Sequence, residues 1–129
     1  MLPSIEKLMS CDMYRDGGSL SISFESSGGT EYTLFFGIKH DITPEKKILP
    51  VGYKPPVLQK YVKSEYVSKI TGISHPEIEK ADAEISWKEA TFILDECGGF
   101  MSGFETEYSW VYPRMVEIAE SEGAYHENS

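Results

Sequence analysis

The sequence predicts an α+β fold in which an antiparallel sheet, begun by an N-terminal hairpin, packs against three to five helices. Segments of alternating apolar and polar residues come early in the 129 residues, and a pair of glycines separates two of them. Helix-capping patterns cluster in the C-terminal half. Strands followed by helices favour α+β over alternating parallel units. The length predicts one domain, residues 1–129, because two ordinary domains need roughly 100 residues or more each.

The first two strands form the predicted hairpin. Apolar residues alternate with serine over residues 20–24, and a second alternating segment covers residues 32–38. This is the period of a half-buried strand. Gly28 and Gly29 lie between the two segments and supply the positive φ that tight turns require.

A third strand is predicted over residues 48–53. Pro50 lies inside this segment. Because proline has no amide hydrogen to donate, it indicates an edge strand or a neighbouring bulge.

Helical patterns occur in several other segments. Residues 3–10 could form a short helix, and apolar residues at intervals of three and four over residues 57–70 predict an amphipathic helix with a lysine flank. Ser74 and Glu77 have the spacing of a capping box, with Pro76 early in the helix that it would start.

The strongest helix signal begins at Ser86, which forms a second capping-box pattern with Glu89. Apolar residues at helical spacing continue to Cys97, and Gly98-Gly99 marks the end. A final helix is predicted over residues 113–122, ending at Gly123, with a frayed tail over residues 124–129.

Residues 104–112 fit two patterns. Aromatic residues alternate with polar ones, which favours a strand. The same segment also carries a helical stripe, and Ser102 with Glu105 could cap it. The strand is the preferred interpretation, and the period alone leaves both open.

Charge is distributed unevenly along the chain, whose net charge is −9. Residues 71–129 hold thirteen acidic and three basic residues, whereas residues 41–70 hold six lysines and three acidic residues. An acidic half repels phosphate backbones, so direct nucleic-acid binding is not expected. No apolar run reaches the ~20 residues that cross a bilayer, and the N-terminus lacks a signal-peptide pattern. We therefore expect a cytoplasmic protein without membrane attachment.

The sequence offers no pattern for catalysis, a metal or a cofactor. His40, His75 and His126 stand in unrelated contexts without the spacing of metal ligands. Cys11 and Cys97 form no C-x-x-C pair, which indicates buried free thiols, although a disulfide between them stays open. We therefore predict no catalytic residue, no metal site and no bound cofactor.

The acidic segment between residues 77 and 107 is the candidate binding region. This segment is either a solvated acidic face or a docking surface for a basic protein. The docking hypothesis also uses nearby aromatic residues as anchors. The candidate partner-binding residues are Glu77, Glu79, Asp82, Glu84, Glu89, Asp95, Glu96, Glu105, Glu107, Tyr108 and Trp110.

Three features of the chain are its small size, the acidic balance of residues 77–107 and the aromatic run Tyr108-Ser109-Trp110-Val111-Tyr112. In these features it resembles the immunity proteins of bacterial contact-dependent inhibition and other polymorphic toxin systems. These proteins share no diagnostic motif, so no residue role transfers by position. The resemblance implies a bacterial cytoplasmic inhibitor, without enzymatic activity, that binds a cognate toxin at or near its active site. The toxin would be a nuclease domain, and the chain a monomer within a heterodimeric complex. The lysine segment departs from a uniformly acidic inhibitor.

The alternative hypothesis is a small-ligand binding domain or an enzyme. Its basis is the aromatic content of the chain. A concave sheet lined by Tyr32, Phe36, Tyr108 and Trp110 could enclose an apolar ligand.

Overall fold

The computed structural model describes residues 2–14, 18–64, 77–104 and 107–127. In these ranges the chain forms seven strands and two helices, so the α+β class is confirmed, with two helices rather than three to five. The strands are β1 (Lys7–Tyr14), β2 (Ser19–Glu25), β3 (Glu31–Phe36), β4 (Ile38–Ile42), β5 (Ile48–Tyr53), β6 (Val57–Ser64) and β7 (Glu77–Glu84). The helices are α1 (Trp87–Gly98) and α2 (Val111–Glu127).

Five strands form an antiparallel sheet in the order β1-β2-β3-β6-β7. The remaining two, β4 and β5, pair only with each other and form a two-stranded extension, here called the β4–β5 arm (residues 38–53). The arm follows directly from the paired ends of β3 and β6, where the Lys54 amide donates to the Gly37 carbonyl at 2.8 Å.

Both helices cover one face of the five-stranded sheet. Cross-strand partners Ile22, Leu34 and Leu58 lie on this face and are buried. The ring of Phe36 meets that of Trp87 edge to face, with centroids 5.1 Å apart. On the opposite face Ser23 and Thr33 share a hydrogen bond of 2.8 Å. The alternation predicted from the sequence therefore separates a helix-covered face from a polar open face.

The predicted hairpin is confirmed as β2 and β3, which pair from Leu20 with Phe36 to Glu25 with Glu31. The predicted third strand is confirmed as β5. Pro50 lies opposite His40, and the register of the two strands shifts between Lys39 and His40. The sheet has only these two strands, so both are edge strands. This placement matches the expectation for a proline without an amide donor.

The helix predicted over residues 3–10 is wrong, because Lys7–Tyr14 is the edge strand β1. Its pairing with β2 shifts between Leu8 and Ser10. This bulge adds one residue, so Leu8 and Cys11, three positions apart, both face the core. A spacing of three thus arises in a bulged strand and imitates a helix.

The helix predicted over residues 57–70 is also wrong for Val57–Ser64, which forms β6, while residues 65–70 lie outside the described residues. Leu58 faces the core, whereas the Tyr61 hydroxyl on the open face donates to Gln59 Oε1 at 2.7 Å. The apolar residues therefore divide between two faces. A short segment can fit both the helical and the strand period of apolar residues. Here the pairing with β3 makes the segment a strand.

Glu77–Glu84 forms β7, so the helix predicted from Pro76 is wrong over these residues. The start of the proposed capping box, Ser74, lies outside the described residues. Pairing with β6 supplies the backbone of β7 with hydrogen-bond partners along its length. This pairing is non-local and leaves no trace in the local sequence.

The helix predicted from the Ser86 capping box is confirmed. The Glu89 amide donates to Ser86 Oγ at 3.1 Å, and the Ser86 amide donates to Glu89 Oε1 at 3.1 Å. These hydrogen bonds from the backbone and side chain of Ser86 lower the pKa of Glu89. The buried set of α1 consists of Trp87, Ala90, Ile93, Leu94 and Cys97.

The strand favoured over residues 104–112 is wrong, since residues 107–110 form turns and α2 begins at Val111. The helix predicted over residues 113–122 is present but longer at both ends. It continues past Gly123 to Glu127, which corrects the prediction of a frayed tail for residues 124–127. Gly123 lies against Trp87, where a Cβ would be 3.7 Å from the Trp87 Cβ. The local sequence alone does not distinguish a glycine that ends a helix from a glycine that allows close packing inside one.

Cys11 and Cys97 are both buried free thiols, as the sequence predicts. Burial, with a smaller contribution from Asp12, raises the pKa of Cys11 to about 11. Burial also raises the pKa of Cys97 to about 12. Neither helix in the described part of the chain is long and apolar enough to cross a bilayer.

Candidate functional site

The outward face of α1 carries an exposed aromatic ring among charged residues. This face, here called the α1 face, consists of Lys88, Glu89, Phe92, Asp95 and Glu96, all of them exposed. Phe92 is 53% exposed. The other four residues lie three or four positions from it, so they surround the ring on the helix surface. Three of them are acidic, which gives the face a net negative charge.

A groove of about 720 Å³ borders the α1 face. Pro55 and Pro56 form one wall, and α2 contributes Ala119 and Gly123. The remaining apolar wall comes from Ile85, Trp87, Thr91 and Phe92, and the charged residues around it are Lys88, Asp95 and Glu120. An apolar floor with a few polar groups at its edge is the usual character of a binding site.

Three local features of the sequence create this groove. The Ser86 capping box fixes the start of α1 and directs Trp87 into the core. Pro55 and Pro56 follow the arm and hold the chain extended where it enters β6, at the wall of the groove. Gly123 places no side chain on the part of α2 that faces Trp87, which leaves space between the two helices.

The negative charge beside the groove exceeds the positive charge there, which comes from Lys88. In the part of the chain that the structure describes, no lysine or arginine forms a salt bridge with Asp95, Glu96 or Glu120. The Arg114 guanidinium instead lies 3.1 Å from Glu117 Oε2, in a pair exposed at the surface of α2. The field around Phe92 is therefore dominated by carboxylates.

The predicted acidic region divides between two faces of the molecule. Glu84 pairs with Val57 and Asp82 with Gln59, on the face opposite the helices, and both carboxylates are exposed. Glu89, Asp95 and Glu96 lie on the α1 face instead. The backbones of Glu77 and Glu79 belong to β7, but their side chains lie outside the described part, as does Glu105.

The two predicted aromatic anchors have different environments. Tyr108 is partly buried against the core, whereas Trp110 is 45% exposed and comes one residue before α2. Glu107, in the same turn, is exposed. None of the three lines the groove.

The rings proposed to line a ligand pocket lie elsewhere. Tyr32 stacks on Phe24 with centroids 5.6 Å apart, and Phe36 is fully buried against Trp87. Phe36 therefore fills the core beneath the helices, and Tyr32 packs against that core while partly buried. The groove uses Phe92, Trp87 and the two prolines, none of which was among the predicted site residues. Phe92 could have been found, because it falls off the buried stripe of α1 at a position where a helix exposes its side chain.

The histidine and carboxylate side chains that the structure describes form no evident chemical centre. His40 is exposed on β4, His75 lies outside the described residues, and so does the side chain of His126. Among the described residues no group of three histidine, cysteine, aspartate or glutamate side chains could hold a metal ion.

No protein family, curated protein or solved structure matches this chain. What its surface can bind must therefore be derived from the α1 face and the groove themselves.

Proposed function

We propose that this chain is an inhibitory binding protein of the immunity class. It neutralises a cognate protein toxin by covering a basic surface at or near the toxin's active site, and it does so in the bacterial cytoplasm without catalysis. The supporting observation is the exposed Phe92 ring, surrounded by carboxylates and bordering an apolar groove.

Phe92 has the character of an interface anchor. Aromatic side chains that become fully desolvated in a pocket supply a large share of binding energy at protein interfaces. Phe92 leaves more than half of its surface in solvent, although 18 other hydrophobic residues of the described chain are buried. Covering this ring and the adjacent groove with a partner removes apolar area from water.

Glu89, Asp95 and Glu96 determine which kind of partner fits. Their carboxylates lie within one helical turn of Phe92. A cluster of one sign of charge accelerates encounter with the opposite sign and selects against like-charged partners. The partner is therefore a basic protein with an apolar residue at the centre of its contact surface.

A nuclease domain meets this description. Enzymes that cleave nucleic acids present lysine and arginine to phosphate groups. Carboxylates on the α1 face can replace those phosphates in contacts with arginine, which binds carboxylate and phosphate with the same planar geometry. Occupying such a surface excludes the nucleic acid.

The direct test is co-expression with the protein encoded by the adjacent upstream gene. We expect that protein to arrest growth when expressed alone, and this chain to restore growth and co-purify with it. A matched pair of double variants locates the surface: Asp95→Lys/Glu96→Lys on the α1 face and Asp82→Lys/Glu84→Lys on the opposite face. Only the first pair should reduce rescue. A neighbour that is neither toxic nor bound would remove the immunity proposal.

The groove also supports a second candidate, a small apolar ligand. Its volume of about 720 Å³ is within the range of small-molecule sites. Lipid extraction and mass spectrometry of the purified protein distinguish the two candidates. A ligand bound in stoichiometric amount favours the second candidate, and a protein free of ligand that binds the neighbour favours the first.

A further inference from the structure

The β4–β5 arm exposes apolar side chains to a degree found nowhere else in the described chain. Ile42 is 69% exposed and Ile48 is 66% exposed, and these two residues face each other across the arm. Leu49 and Val51 are exposed as well. Because consecutive side chains of a strand point to opposite faces, Ile48 and Leu49 lie on different faces of the arm. The cross-strand pair of Ile42 and Ile48 is therefore the exposed apolar patch that suits an interaction surface.

The tip of the arm is conformationally strained and carries two exposed lysines, Lys46 and Lys47, beside one exposed glutamate, Glu45. Lys46 adopts φ of +62°, a left-handed conformation that residues with a Cβ rarely adopt. The turn is held because the Lys46 amide donates to the Thr43 carbonyl at 2.8 Å and the Thr43 amide donates to the Lys47 carbonyl at 2.9 Å. Lys46 and Lys47 are therefore presented side by side in a fixed turn, beside Ile48.

The groove has the complementary properties. Its floor is apolar, and Asp95 and Glu120 at its edge have no salt-bridge partner among the described residues. The arm tip, with two lysines and Glu45, has a net positive charge. The groove rim, with Asp95, Glu120 and Lys88, has a net negative charge. An aliphatic ribbon with a positive tip thus matches an apolar groove with a negative rim. The two surfaces occur on the same chain.

We propose that the free chain forms a two-fold dimer in which the β4–β5 arm of each copy occupies the groove of the other. The residues at the base of the arm, Pro55 and Pro56, also line the groove, so arm and groove are neighbours. Two copies related by a two-fold axis can therefore exchange arms reciprocally. Such an arm-into-groove contact closes on itself and does not extend into a filament.

The dimer regulates the same groove that the proposed toxin contact uses. Arm exchange covers the apolar floor while no toxin is present. Toxin binding then displaces the arm and yields the heterodimeric complex, with one copy of each chain, that the sequence analysis expects. The dimer itself requires only this chain, so its test is independent of the toxin proposal.

The experiment is sedimentation velocity on the purified chain from about 1 µM to about 500 µM, because the population of a reversible dimer depends on protein concentration. The mass should rise from 14.5 kDa towards twice that value. Ile42→Thr/Ile48→Thr removes the apolar patch while keeping β-branched strand residues, and should weaken dimerisation at least about ten-fold. Thr91→Arg fills the groove from α1 and repels the lysines of the arm, with the same expected effect.

Mixing distinguishes arm exchange from other modes of association. The arm variant retains its groove and the groove variant retains its arm, so an equimolar mixture should associate more tightly than either variant alone. Glu120→Arg, at an exposed rim position, serves as a second groove variant if Thr91→Arg does not fold. A wild-type chain that is monomeric throughout the range overturns the proposal. A dimer that survives both variants, or a mixture that associates no better than its components, also overturns it.

Discussion

The body of the molecule and the β4–β5 arm use the same kinds of residues in opposite ways. In the body, Ile22, Leu34 and Phe36 lie beneath two helices and are fully buried. In the arm, Ile42 and Ile48 also belong to paired antiparallel strands, yet no described part of the chain covers them. Burial of the first set drives folding. The second set contributes little to folding and is available for contacts with other molecules.

The largest expected difference between the two regions concerns stability. Phe36→Ala should lower the free energy of unfolding by about 3–5 kcal/mol, because it leaves a cavity against Trp87. Ile48→Ala should change it by less than about 0.5 kcal/mol, since its side chain is mostly in solvent already. Urea denaturation measures both values, at a protein concentration low enough to keep the chain monomeric. Equal losses would contradict the distinction between body and arm.

A second prediction concerns the close approach of the two helices within the body. A Cβ at Gly98 would lie 2.6 Å from the Tyr112 hydroxyl, which donates to the Leu94 carbonyl at 3.0 Å. Gly98→Ala should therefore destabilise the protein by about 1–3 kcal/mol. The control is Gly99→Ala, whose Cβ would have an ordinary contact of 3.6 Å with the Glu96 carbonyl oxygen.

Removing the Tyr112 hydroxyl tests the cause. In a Tyr112→Phe background, Gly98→Ala should cost less than in the wild-type background, because the clashing atom is absent. Thermal unfolding of the four combinations gives the coupling. Strict additivity would show that the close approach is not responsible.

The third prediction concerns the capping box that starts α1. Ser86→Ala should cost about 1 kcal/mol at neutral pH. Because hydrogen bonds from Ser86 lower the pKa of Glu89 in the folded state, the stability that its carboxylate contributes is present above its ordinary pKa of 4.5 and is lost as the pH falls through the lowered value.

The pH dependence can be isolated with Glu89→Gln. Melting temperatures of wild type and variant should differ at pH 7 and converge as the pH falls below the lowered pKa of Glu89, where the carboxyl group is protonated. A gap that persists unchanged at low pH would indicate that the charge of Glu89 has no part in the cap.

The smallest expected effect is a gain of stability at the tip of the arm. Lys46→Gly should raise the free energy of unfolding by about 0.5–1 kcal/mol, because glycine adopts the left-handed conformation without strain. Lys47→Gly, at a position without positive φ, should give no gain. If the strained lysine serves association, the Lys46→Gly variant is more stable and dimerises more weakly. A loss of stability in Lys46→Gly would contradict the interpretation that the backbone of Lys46 is strained.

Local signals made part of the fold predictable. The hairpin of β2 and β3 combines strict alternation with glycines at the turn, and α1 combines a capping box with a helical stripe. In both cases the information lies within a short segment. These elements were predicted correctly for that reason.

Non-local pairing explains the errors. The bulge in β1 and the two-faced pattern of β6 both give apolar spacings of three, which a helix would also give. Only the contacts with β2 and β3 decide between the two structures. The groove was missed for a related reason, since Pro55, Phe92 and Gly123 are far apart in the sequence and meet only in the folded chain.

The placement of partner recognition at the α1 face is tested most directly by comparing two exposed aromatic residues. Isothermal titration of the neighbour-encoded toxin should give an affinity about 30-fold weaker for Phe92→Ala, the loss typical of a central anchor worth about 2 kcal/mol. Trp110→Ala, at a comparably exposed ring outside the groove, should change the affinity by less than about three-fold. An unchanged affinity for Phe92→Ala, or a larger loss for Trp110→Ala, would contradict the account.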